Sequence, residues 1–404
     1  MSSKVKSPAA LGDGSTLVPK LRFPEFIGHP MQDLQLVDAT TESTERNGAG
    51  QISSQVMGVS KVQGIVPMEE HIIAADTARY KFVRKDWFAY NPMRINIGSI
   101  ARWQGDEDIL VSPDYVVFKC KDAGPYRLNP SYLDHFRRSD AWEEFVSEKG
   151  DGSVRVRIYY KDLARIQLAL PSFSEQKKIA DSLDSADALI EAQGRKVEAL
   201  KAHKKGLMQQ LFPQEGETQP RLRFPEFEGL GEWEQHKLGD VCELYQPVTL
   251  SSSELTMTGE HLVYGANGVI GTHSEYNHAD SEIAVTCRGA TCGEVTTTQP
   301  MSWITGNAMV VRPRSTRMTK GFLFQYFKNH GLKSIISGSA QPQITRAGFA
   351  PLPIFFPAAS EQEQIADCLS SLDDLMVTEG QKLNTLKTHK KALMQQLFPS
   401  VGEV

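Results

Sequence analysis

The sequence predicts an α+β fold in which two globular domains are separated by two long antiparallel helices forming a coiled coil, with a pseudo-twofold internal repeat. Three observations support this prediction. Residues 171–213 and 357–399 align without gaps at an offset of about 186, with about 25 identities in 43 positions. Both copies carry an apolar residue every three or four positions over several heptads. The remaining segments are β-branched runs interrupted by Gly, Asn and Asp, which is typical of short strands and loops.

These patterns give the domain boundaries. A shorter repeat, with Arg-Phe-Pro-Glu-Phe in both copies, opens each half at 19–26 and 220–227. We predict a flexible tail at 1–18, a first α+β domain at 19–170, a spacer helix at 171–213, a second α+β domain at 214–356, and a second spacer helix at 357–404.

Each spacer helix is predicted to be about 38 residues, or about 57 Å, long. A helix of this length has to bury its apolar stripe, and the simplest partner is the other copy; the alternative is that each helix packs on its own domain. Ser174 and Ser360 are the expected N-caps. The residues predicted to pair the helices are Leu183, Ile190, Gly194, Leu200, Leu369, Met376, Gly380 and Leu386.

Antiparallel pairing would bring Gly194 and Gly380 together, and it would allow close backbone approach there. Gln193 and Glu379 would lie beside them as polar seam residues that fix the register. The helix ends are apolar on more than one face, which a two-helix seam does not require. We therefore predict a docking site for partner proteins at Leu207, Met208, Leu211, Phe212, Leu393, Met394, Leu397 and Phe398.

Composition indicates a cytoplasmic protein. No apolar run is long enough to span a membrane, and the five cysteines lack the spacing of a disulfide framework or a metal site. The net charge of −5 conceals basic clusters, such as the one between Arg288 and Arg346. Local basic surface of this kind favours contact with phosphates, although ordinary solvated faces would also explain it.

Arg pairs with guanine, and Asn or Gln with adenine, through two hydrogen bonds, whereas Lys and Tyr contact phosphates. Residues of these types, with one tryptophan, recur in both variable segments. At the repeat offset of about 186, Arg102 matches Arg288. The alternative for any single one of these residues is that it is an ordinary surface residue. The candidate DNA-contacting residues are Lys61, Arg94, Arg102, Trp103, Arg155, Arg157, Tyr264, Asn267, Arg288, Gln341, Gln343 and Arg346.

Motifs for catalysis are missing from the sequence. There is no phosphate-binding Gly-x4-Gly-Lys-Ser/Thr loop and no Gly-x-Ser-x-Gly nucleophile elbow. The segment 90–93, Tyr-Asn-Pro-Met, lacks the second proline and the aromatic ring of an amino-methyltransferase motif. We therefore predict a binding protein that is not an enzyme, with no metal or cofactor of its own. The rivals are a fused methyltransferase and a coiled-coil scaffold without a DNA function.

The sequence resembles the specificity subunit of type I restriction–modification systems over nearly all its length. The resemblance rests on the paired Pro-x2-Ser-Glu-Gln-x2-Ile-Ala-Asp-x-Leu motifs at 171–183 and 357–369. It also rests on the duplicated Lys-Lys-x-Leu-Met-Gln-Gln-Leu-Phe-Pro ends, on Arg-Gly-Ala-Thr-Cys-Gly at 288–293, and on Gln-Pro-Gln-Ile-Thr at 341–345.

The resemblance implies two target recognition domains, each reading one half of a bipartite, asymmetric site in double-stranded DNA. It implies that two methyltransferase subunits dock on this chain, with or without a motor–nuclease subunit. S-adenosylmethionine, ATP and Mg²⁺ would then bind to the partners. An alternative is the specificity chain of a related system in which a single partner both methylates and cleaves.

Overall fold

The computed structural model describes residues 19–48, 56–148, 157–251, 253–256, 258–266, 268–338 and 341–398, so the predicted tail at 1–18 lies outside the described residues. The chain divides into two compact units. Unit 1 contains residues 1–192 and 383–404, and unit 2 contains residues 193–382.

Unit 1 is built from ten short strands and several helices among its described residues. Its strands are β1 (Gln32–Gln35), β2 (Thr40–Ser43), β3 (Val56–Ser60), β4 (Gly64–Pro67), β5 (Lys81–Val83), β6 (Phe88–Tyr90), β7 (Ile100–Arg102), β8 (Ile109–Val111), β9 (Val116–Cys120) and β10 (Gln167–Leu170). Its helices before the spacer are α1 (Leu36–Ala39), α2 (Pro130–Phe136), α3 (Asp140–Glu148) and α4 (Tyr160–Leu163). The first long helix, α5 (Phe173–Leu211), starts in unit 1.

Unit 2 repeats this plan. Its strands are β11 (Glu234–Lys237), β12 (Cys242–Tyr245), β13 (His261–Gly265), β14 (Gly268–His273), β15 (Ile283–Thr286), β16 (Val295–Thr297), β17 (Trp303–Ile304), β18 (Ala308–Pro313) and β19 (Pro353–Phe356). Its helices are α6 (Leu238–Val241), α7 (Lys320–His330), α8 (Arg346–Phe349) and the first part of α9 (Ala359–Leu397).

The strand orders of the two units correspond. Unit 1 has sheets in the order β2-β9-β6-β7 and β4-β3-β8-β5 with a separate pair β1-β10, and unit 2 has β12-β18-β15-β16 and β14-β13-β17 with a pair β11-β19. The pairing is antiparallel except for β3 with β8 and β13 with β17. The central strands β6 and β15 are fully buried, as expected for continuous apolar runs covered on both faces.

Within each unit, the short opening repeat (19–26 or 220–227) binds the start of a long helix. In unit 1, Arg22 of the opening repeat donates to both carboxylate oxygens of buried Glu175, at 2.8 and 2.5 Å. In unit 2, Arg223 donates to buried Glu361 in the same way, at 2.9 and 2.6 Å. We call these two pairs the frame clamps. The geometry is bidentate, which is the strong form of an arginine–carboxylate contact.

The repeated glutamine next to each clamp bonds to the backbone at the start of a shorter helix earlier in the chain, α2 in unit 1 and α7 in unit 2. The Gln176 Oε1 atom accepts from the backbone N of Asn129, and its Nε2 donates to Arg127 O. Gln362 accepts from Thr319 N and donates to Arg317 O. The Ser-Glu-Gln motif therefore ties each long helix to the start of α2 or α7.

The predicted seam positions of α5 and α9 are all buried or half-buried, whereas most of their neighbours are exposed. Side chains of the two helices bond to each other in both units. In unit 1, the Lys390 ammonium donates to Asp187. In unit 2, Lys204 donates to Asp373 at 2.5 Å. The two lysines that interrupt the apolar seam are therefore neutralised across the helices.

The seam also contains a polar pair at its middle. Nε2 of Gln193 donates to the Glu379 carboxylate at 2.6 Å and to its backbone oxygen at 2.9 Å. The Lys196 ammonium reaches the same carboxylate at 2.8 Å. The close approach expected at Gly194 and Gly380 is not found, because a Cβ atom on either residue would meet nothing within 4 Å.

The helices also begin earlier than expected. In α5 the N-cap is Ser172, whose hydroxyl accepts from Glu175 N at 3.3 Å. In α9 the corresponding residue is Ala358, whose carbonyl accepts from Gln362 N. Ser174 and Ser360 therefore lie inside the first turn instead of capping it.

The expected docking residues at the helix ends are buried in the chain itself. In unit 2, Phe212 is fully buried and its ring lies 5.4 Å from that of Phe322. In unit 1, Phe398 is 3% exposed and packs against Tyr132 and Phe136. All eight residues of this set are buried or half-buried: Leu207, Met208, Leu211, Phe212, Leu393, Met394, Leu397 and Phe398. Their apolar character serves the two cores, which corrects the docking assignment.

Along the described part of the chain, no helix combines the length and the apolar character needed to cross a bilayer.

Candidate nucleic-acid interface

In unit 2, the loop after β15 and the segment before α8 are hydrogen-bonded to each other. Ile344 N donates to Cys287 O at 3.0 Å, and Gly289 N donates to Pro342 O at 3.2 Å. A bridge in the same ladder joins Arg288 to Gln343. The structure thus brings together three predicted residues, and all three are exposed: Arg288, Gln341 and Gln343.

A third segment of unit 2, the β13–β14 turn, lies against the same loop. The hydroxyl groups of Thr286 and Thr291 both donate to Ala266 O, at 2.5 and 3.1 Å. Asn267 itself lies outside the described residues. Exposed Arg346 starts α8, directly after the Gln343 segment. We call these three converging segments the unit 2 loop cluster.

The shape of the loop after β15 depends on glycine. Gly289 and Gly293 have φ angles of 89° and 93°, which favour glycine over any residue with a Cβ atom. The Cys287 thiol is buried beneath the loop and donates to Asn307 O at 3.1 Å. The loop that presents Arg288 is therefore fixed from below.

Tyr264 does not belong to this exposed set. Its side chain is 6% exposed and lies in a small apolar cluster with Ala284 and Ile304. Its hydroxyl oxygen accepts from Gln299 N at 3.1 Å. Its position inside strand β13 points the ring into the core, which corrects its assignment as a DNA-contacting residue.

Unit 1 has a corresponding loop cluster. Ile158 N donates to Pro92 O at 3.0 Å, as Ile344 does to Cys287 in unit 2. Exposed Arg94 and Arg157 flank this contact. The third segment is the β3–β4 turn with Lys61, whose side-chain stem would lie 3.3 Å from a Cβ atom on Gly98. Arg155 lies outside the described residues.

The backbone contacts correct one sequence correspondence. Since Pro92 takes the place of Cys287, the position equivalent to Arg288 is Met93, next to Arg94. Arg102 instead ends strand β7, whose counterpart β16 ends at Thr297. The match at the offset of 186 fails here because these strands correspond at an offset of 195. Unit 1 has about nine more residues between β7 and Ile158 than unit 2 has between β16 and Ile344.

Arg102, Trp103 and Lys61 line one cleft of about 400 Å³ in unit 1. Arg102 is held by Asp86 at 3.1 Å, and the Trp103 indole donates to Glu107 O at 2.7 Å. Two further cations in this cleft were not predicted: Arg137 and Arg138. Their only sequence signal is a pair of adjacent arginines at the end of a short helix.

Arg137 and Arg138 both bind Asp134 beneath the cleft, at 2.7 and 3.0 Å. Burial by itself would raise the pKa of the Asp134 carboxyl, but the two guanidinium groups outweigh it and hold that pKa below its ordinary value. Burial lowers the pKa of the Arg137 guanidinium.

One group of ligand-type side chains in the described residues, His135 with Asp184 and Asp187, lies close enough together to hold a metal ion. Protein groups already bind the atoms that face one another, although His135 Nδ1 is buried without a hydrogen-bond partner among the described residues. His135 Nε2 and the Ser131 hydroxyl bind Asp184, at 2.8 and 2.6 Å. Lys390 binds Asp187. The cluster is thus a polar contact between α2 and the long helices.

Comparison with known proteins shows what the chain is similar to. Residues 231–388 match the family described as "Type I restriction modification DNA specificity domain". Two curated relatives come from Methanocaldococcus jannaschii. The putative type I restriction enzyme MjaX specificity subunit is 23% identical over 352 residues, covering 81% of each chain. The type I restriction enzyme MjaVIII specificity subunit is 23% identical over 284 residues, covering 63% of this chain and 67% of that one.

Two solved structures share the fold. The S subunit of a type I restriction–modification system from M. genitalium has a TM-score of 0.63 at 14% identity, covering 95% of this chain and 99% of that one. A structure that describes complex assembly and conformational transition of the type I system has a TM-score of 0.56 at 16% identity, covering 93% and 99%. These curated relatives are named as specificity subunits, which agrees with the predicted recognition role. Over most of its length the chain is therefore similar to specificity subunits of type I restriction–modification systems, and residues 231–388 match their DNA specificity domain.

Proposed function

We propose that this chain selects a bipartite, asymmetric DNA site, with unit 1 reading one half and unit 2 the other. The observation that carries the proposal is that two units with the same frame clamps, and with matching strand orders apart from β5 of unit 1, present different side chains at equivalent loop positions. Arg288 and Gln343 of unit 2 stand where unit 1 has Met93 and Arg157. One frame with unlike exposed residues suits two unlike half-sites.

The chemistry of the two loop clusters fits base reading. In unit 2, exposed Arg288 can pair with guanine, and exposed Gln341 and Gln343 can pair with adenine, through two hydrogen bonds each. In unit 1, Arg94 and Arg157 provide the same capacity for guanine and for phosphates. Because the loops are tied to one another by backbone hydrogen bonds, these side chains are presented from a fixed base.

We further propose that α5 and α9 form an antiparallel coiled-coil spacer between two target recognition domains. Each helix has 39 residues, which gives about 58 Å at 1.5 Å per residue. Two half-sites on one face of DNA are separated by about 34 Å per helical turn. Deleting seven residues from both helices should shorten the gap between the half-sites without changing their bases. Methylome sequencing would measure this, and an unchanged gap would contradict the spacer role.

The partners we propose are two methyltransferase subunits, with or without a motor–nuclease subunit. S-adenosylmethionine, ATP and Mg²⁺ would bind to these partners. Support comes from exposed apolar residues at equivalent positions of the two long helices, Leu189 at 60% and Leu375 at 39% exposure. Each of two identical partner subunits could therefore bind an equivalent apolar contact on one of the two helices. The alternative, one partner that both methylates and cleaves, would use the same surface.

The experiment that tests DNA reading uses the full chain with its methyltransferase partners. Arg288→Ala should cost about 1–3 kcal/mol of discrimination at one half-site only, and Arg94→Ala should act on the other half-site. Binding to DNA duplexes substituted in either half measures this. Arg221→Ala, which removes an exposed arginine paired with Glu217, is the matched control. Equal loss at both half-sites would indicate nonspecific phosphate contact, and no sequence preference in the parent complex would refute the proposed function.

A further inference from the structure

The lining of the 400 Å³ cleft of unit 1 is rich in cationic side chains. The cleft lies between the β3–β4 turn, the end of β7, and the junction of α2 with α3, and its lining includes four cations but only one acid. The cations are Lys61, Arg102, Arg137 and Arg138, and the acid is Asp134. A second cleft of about 290 Å³ shares Lys61, Arg137 and Arg138 and continues toward the unit 1 loop cluster.

The guanidinium groups of this cleft are held in place before any ligand binds. Arg102 is 11% exposed, and its Nη1 bonds Asp86. Its Nε atom is buried and has no hydrogen-bond partner among the described residues. Arg137 and Arg138 are fixed by the shared Asp134 carboxylate. The three guanidinium groups contact three carboxylates, those of Asp86, Asp134 and Asp187, and the exposed Lys61 adds a further cation to the lining. Ordered guanidinium groups beside an exposed cation favour a bound anion, and phosphate oxygens match their planar donor geometry.

Lys61 completes one wall of the cleft. It is exposed on the β3–β4 turn, and its stem lies over Gly98 of the loop cluster. A cation at this point lies between the cleft and the residues proposed to read bases. An anion bound beside Lys61 would therefore sit next to the base-reading loops, which is where the DNA backbone runs when a side chain enters a groove.

Unit 2 does not repeat this cluster. The glutamines Gln176 and Gln362 bind equivalent backbone atoms at the starts of α2 and α7, which aligns the two helices. In that alignment Arg137 corresponds to Phe327 and Arg138 to Lys328, whereas Asp134 corresponds to Phe324. The ring of Phe327 is buried in the core of unit 2. As noted above, Arg102 corresponds to Thr297.

We infer that the cleft of unit 1 binds a phosphate of the DNA backbone and that the described residues of unit 2 form no equivalent site, so unit 1 provides more of the electrostatic part of DNA binding. This inference rests on the proposed function. The inference adds to the proposed function that the two units contribute unequally: unit 1 contributes more to affinity, and unit 2 relies more on polar base contacts.

The test measures how DNA binding by the full chain with its partners depends on salt. The logarithm of the binding constant falls linearly with the logarithm of the salt concentration, with a slope of about −0.9 per neutralised phosphate on duplex DNA. Lys61→Gln and Arg138→Gln should each make that slope shallower by about 1. Their effect on affinity should be the same for the correct site and for sites substituted in either half.

Lys328→Gln is the matched control, because Lys328 is the topological counterpart of Arg138, and its ammonium lies over the Phe324 ring. Its slope should equal that of the parent. An unchanged slope for both Lys61→Gln and Arg138→Gln, or an equal change for Lys328→Gln, would overturn the inference. If the parent complex binds its site with sequence preference while these slopes stay unchanged, the proposed function survives and the phosphate site alone fails.

A second arm distinguishes a DNA phosphate from a free one. The parent and Lys61→Gln complexes are compared in inorganic phosphate and in chloride at equal ionic strength, without DNA. Thermal stabilisation by inorganic phosphate that Lys61→Gln abolishes, combined with an unchanged salt slope, would assign the cleft to a free anion and overturn its assignment to DNA. No difference between the two salts, together with the shallower slope, supports the DNA backbone.

Discussion

Removing the arginine of one frame clamp should destabilise one unit specifically. In unit 2, Arg223 makes two hydrogen bonds to the Glu361 carboxylate, which is 1% exposed, and further bonds to Leu230 O and Gly231 O. Arg223→Ala would leave that carboxylate buried without its counter-charge. Breaking a buried pair in this way costs about 3–5 kcal/mol, which is a large part of the stability of an ordinary domain.

The assay is hydrogen exchange followed by mass spectrometry, because it reports each unit separately. Arg223→Ala should lower protection in peptides of unit 2, and Arg22→Ala should do so in unit 1. Arg221→Ala is the matched control, since its pair with Glu217 is mostly solvent-exposed and contributes little.

A double variant separates the buried charge from the lost packing. Arg223→Met combined with Glu361→Met replaces the pair by apolar side chains of similar length and should recover most of the stability, because no charge then stays buried. If Arg223→Ala changes protection no more than Arg221→Ala does, the clamp does not stabilise the unit. If the double variant is as unstable as Arg223→Ala, the loss comes from packing and not from an uncompensated charge.

Three further predictions follow from the long helices. Phe398→Ala should destabilise unit 1 by about 3–5 kcal/mol in urea unfolding because the ring is buried, whereas Leu375→Ala should leave stability unchanged and weaken assembly with the methyltransferase in a sizing experiment; the reverse pattern would restore the docking role of the helix ends. Gly194→Ala should raise the free energy of unfolding by up to about 1 kcal/mol, and with it the unfolding midpoint, because a Cβ atom meets nothing there and alanine favours helix. A lower midpoint would indicate a close contact. Hydrogen bonds from Gln193 and Lys196 hold the pKa of Glu379 below its ordinary value of 4.5. The stability it adds is therefore complete above that value and lost as the pH falls through the lowered pKa; Gln193→Leu should move acid unfolding, followed by circular dichroism, to higher pH, and an unmoved midpoint would refute this.

The long helices were predictable because their apolar residues recur with a heptad period that few other structures require. Every seam position, including Leu183 and Leu369, is buried or half-buried in the structure. The ends were misassigned because periodicity shows which faces are apolar but not what covers them. Phe212 and Phe398 looked like free docking residues, yet each enters the core of a unit formed by distant parts of the chain.

The loop residues were predictable as a set but not in their individual roles. Arg288, Gln341 and Gln343 were singled out by residue type, and backbone hydrogen bonds across more than fifty residues bring them together. Tyr264 was also singled out by residue type, but it lies in a strand, where successive side chains point to opposite faces and its place in that alternation decides whether it faces the core. Arg137 and Arg138 were not predicted because the cleft that they line forms only where the β3–β4 turn lies beside the end of α2, and no local sequence pattern links these two segments.

The middle of the helix seam shows why a fused chain differs from a dimer of identical halves. Gln193 and Glu379 occupy the same repeat position, and they bond to each other. Two identical halves would place glutamate against glutamate or glutamine against glutamine at this point. The first would bring two carboxylates together, which is unfavourable at the 2.6 Å separation found here, and the second would give up the charge-assisted bond to Lys196. Fusion lets the two copies differ at this position, where equivalent residues of the repeat bond to each other, so the seam favours this pairing over pairing of like halves. The same freedom lets the loop clusters differ while the clamps stay the same.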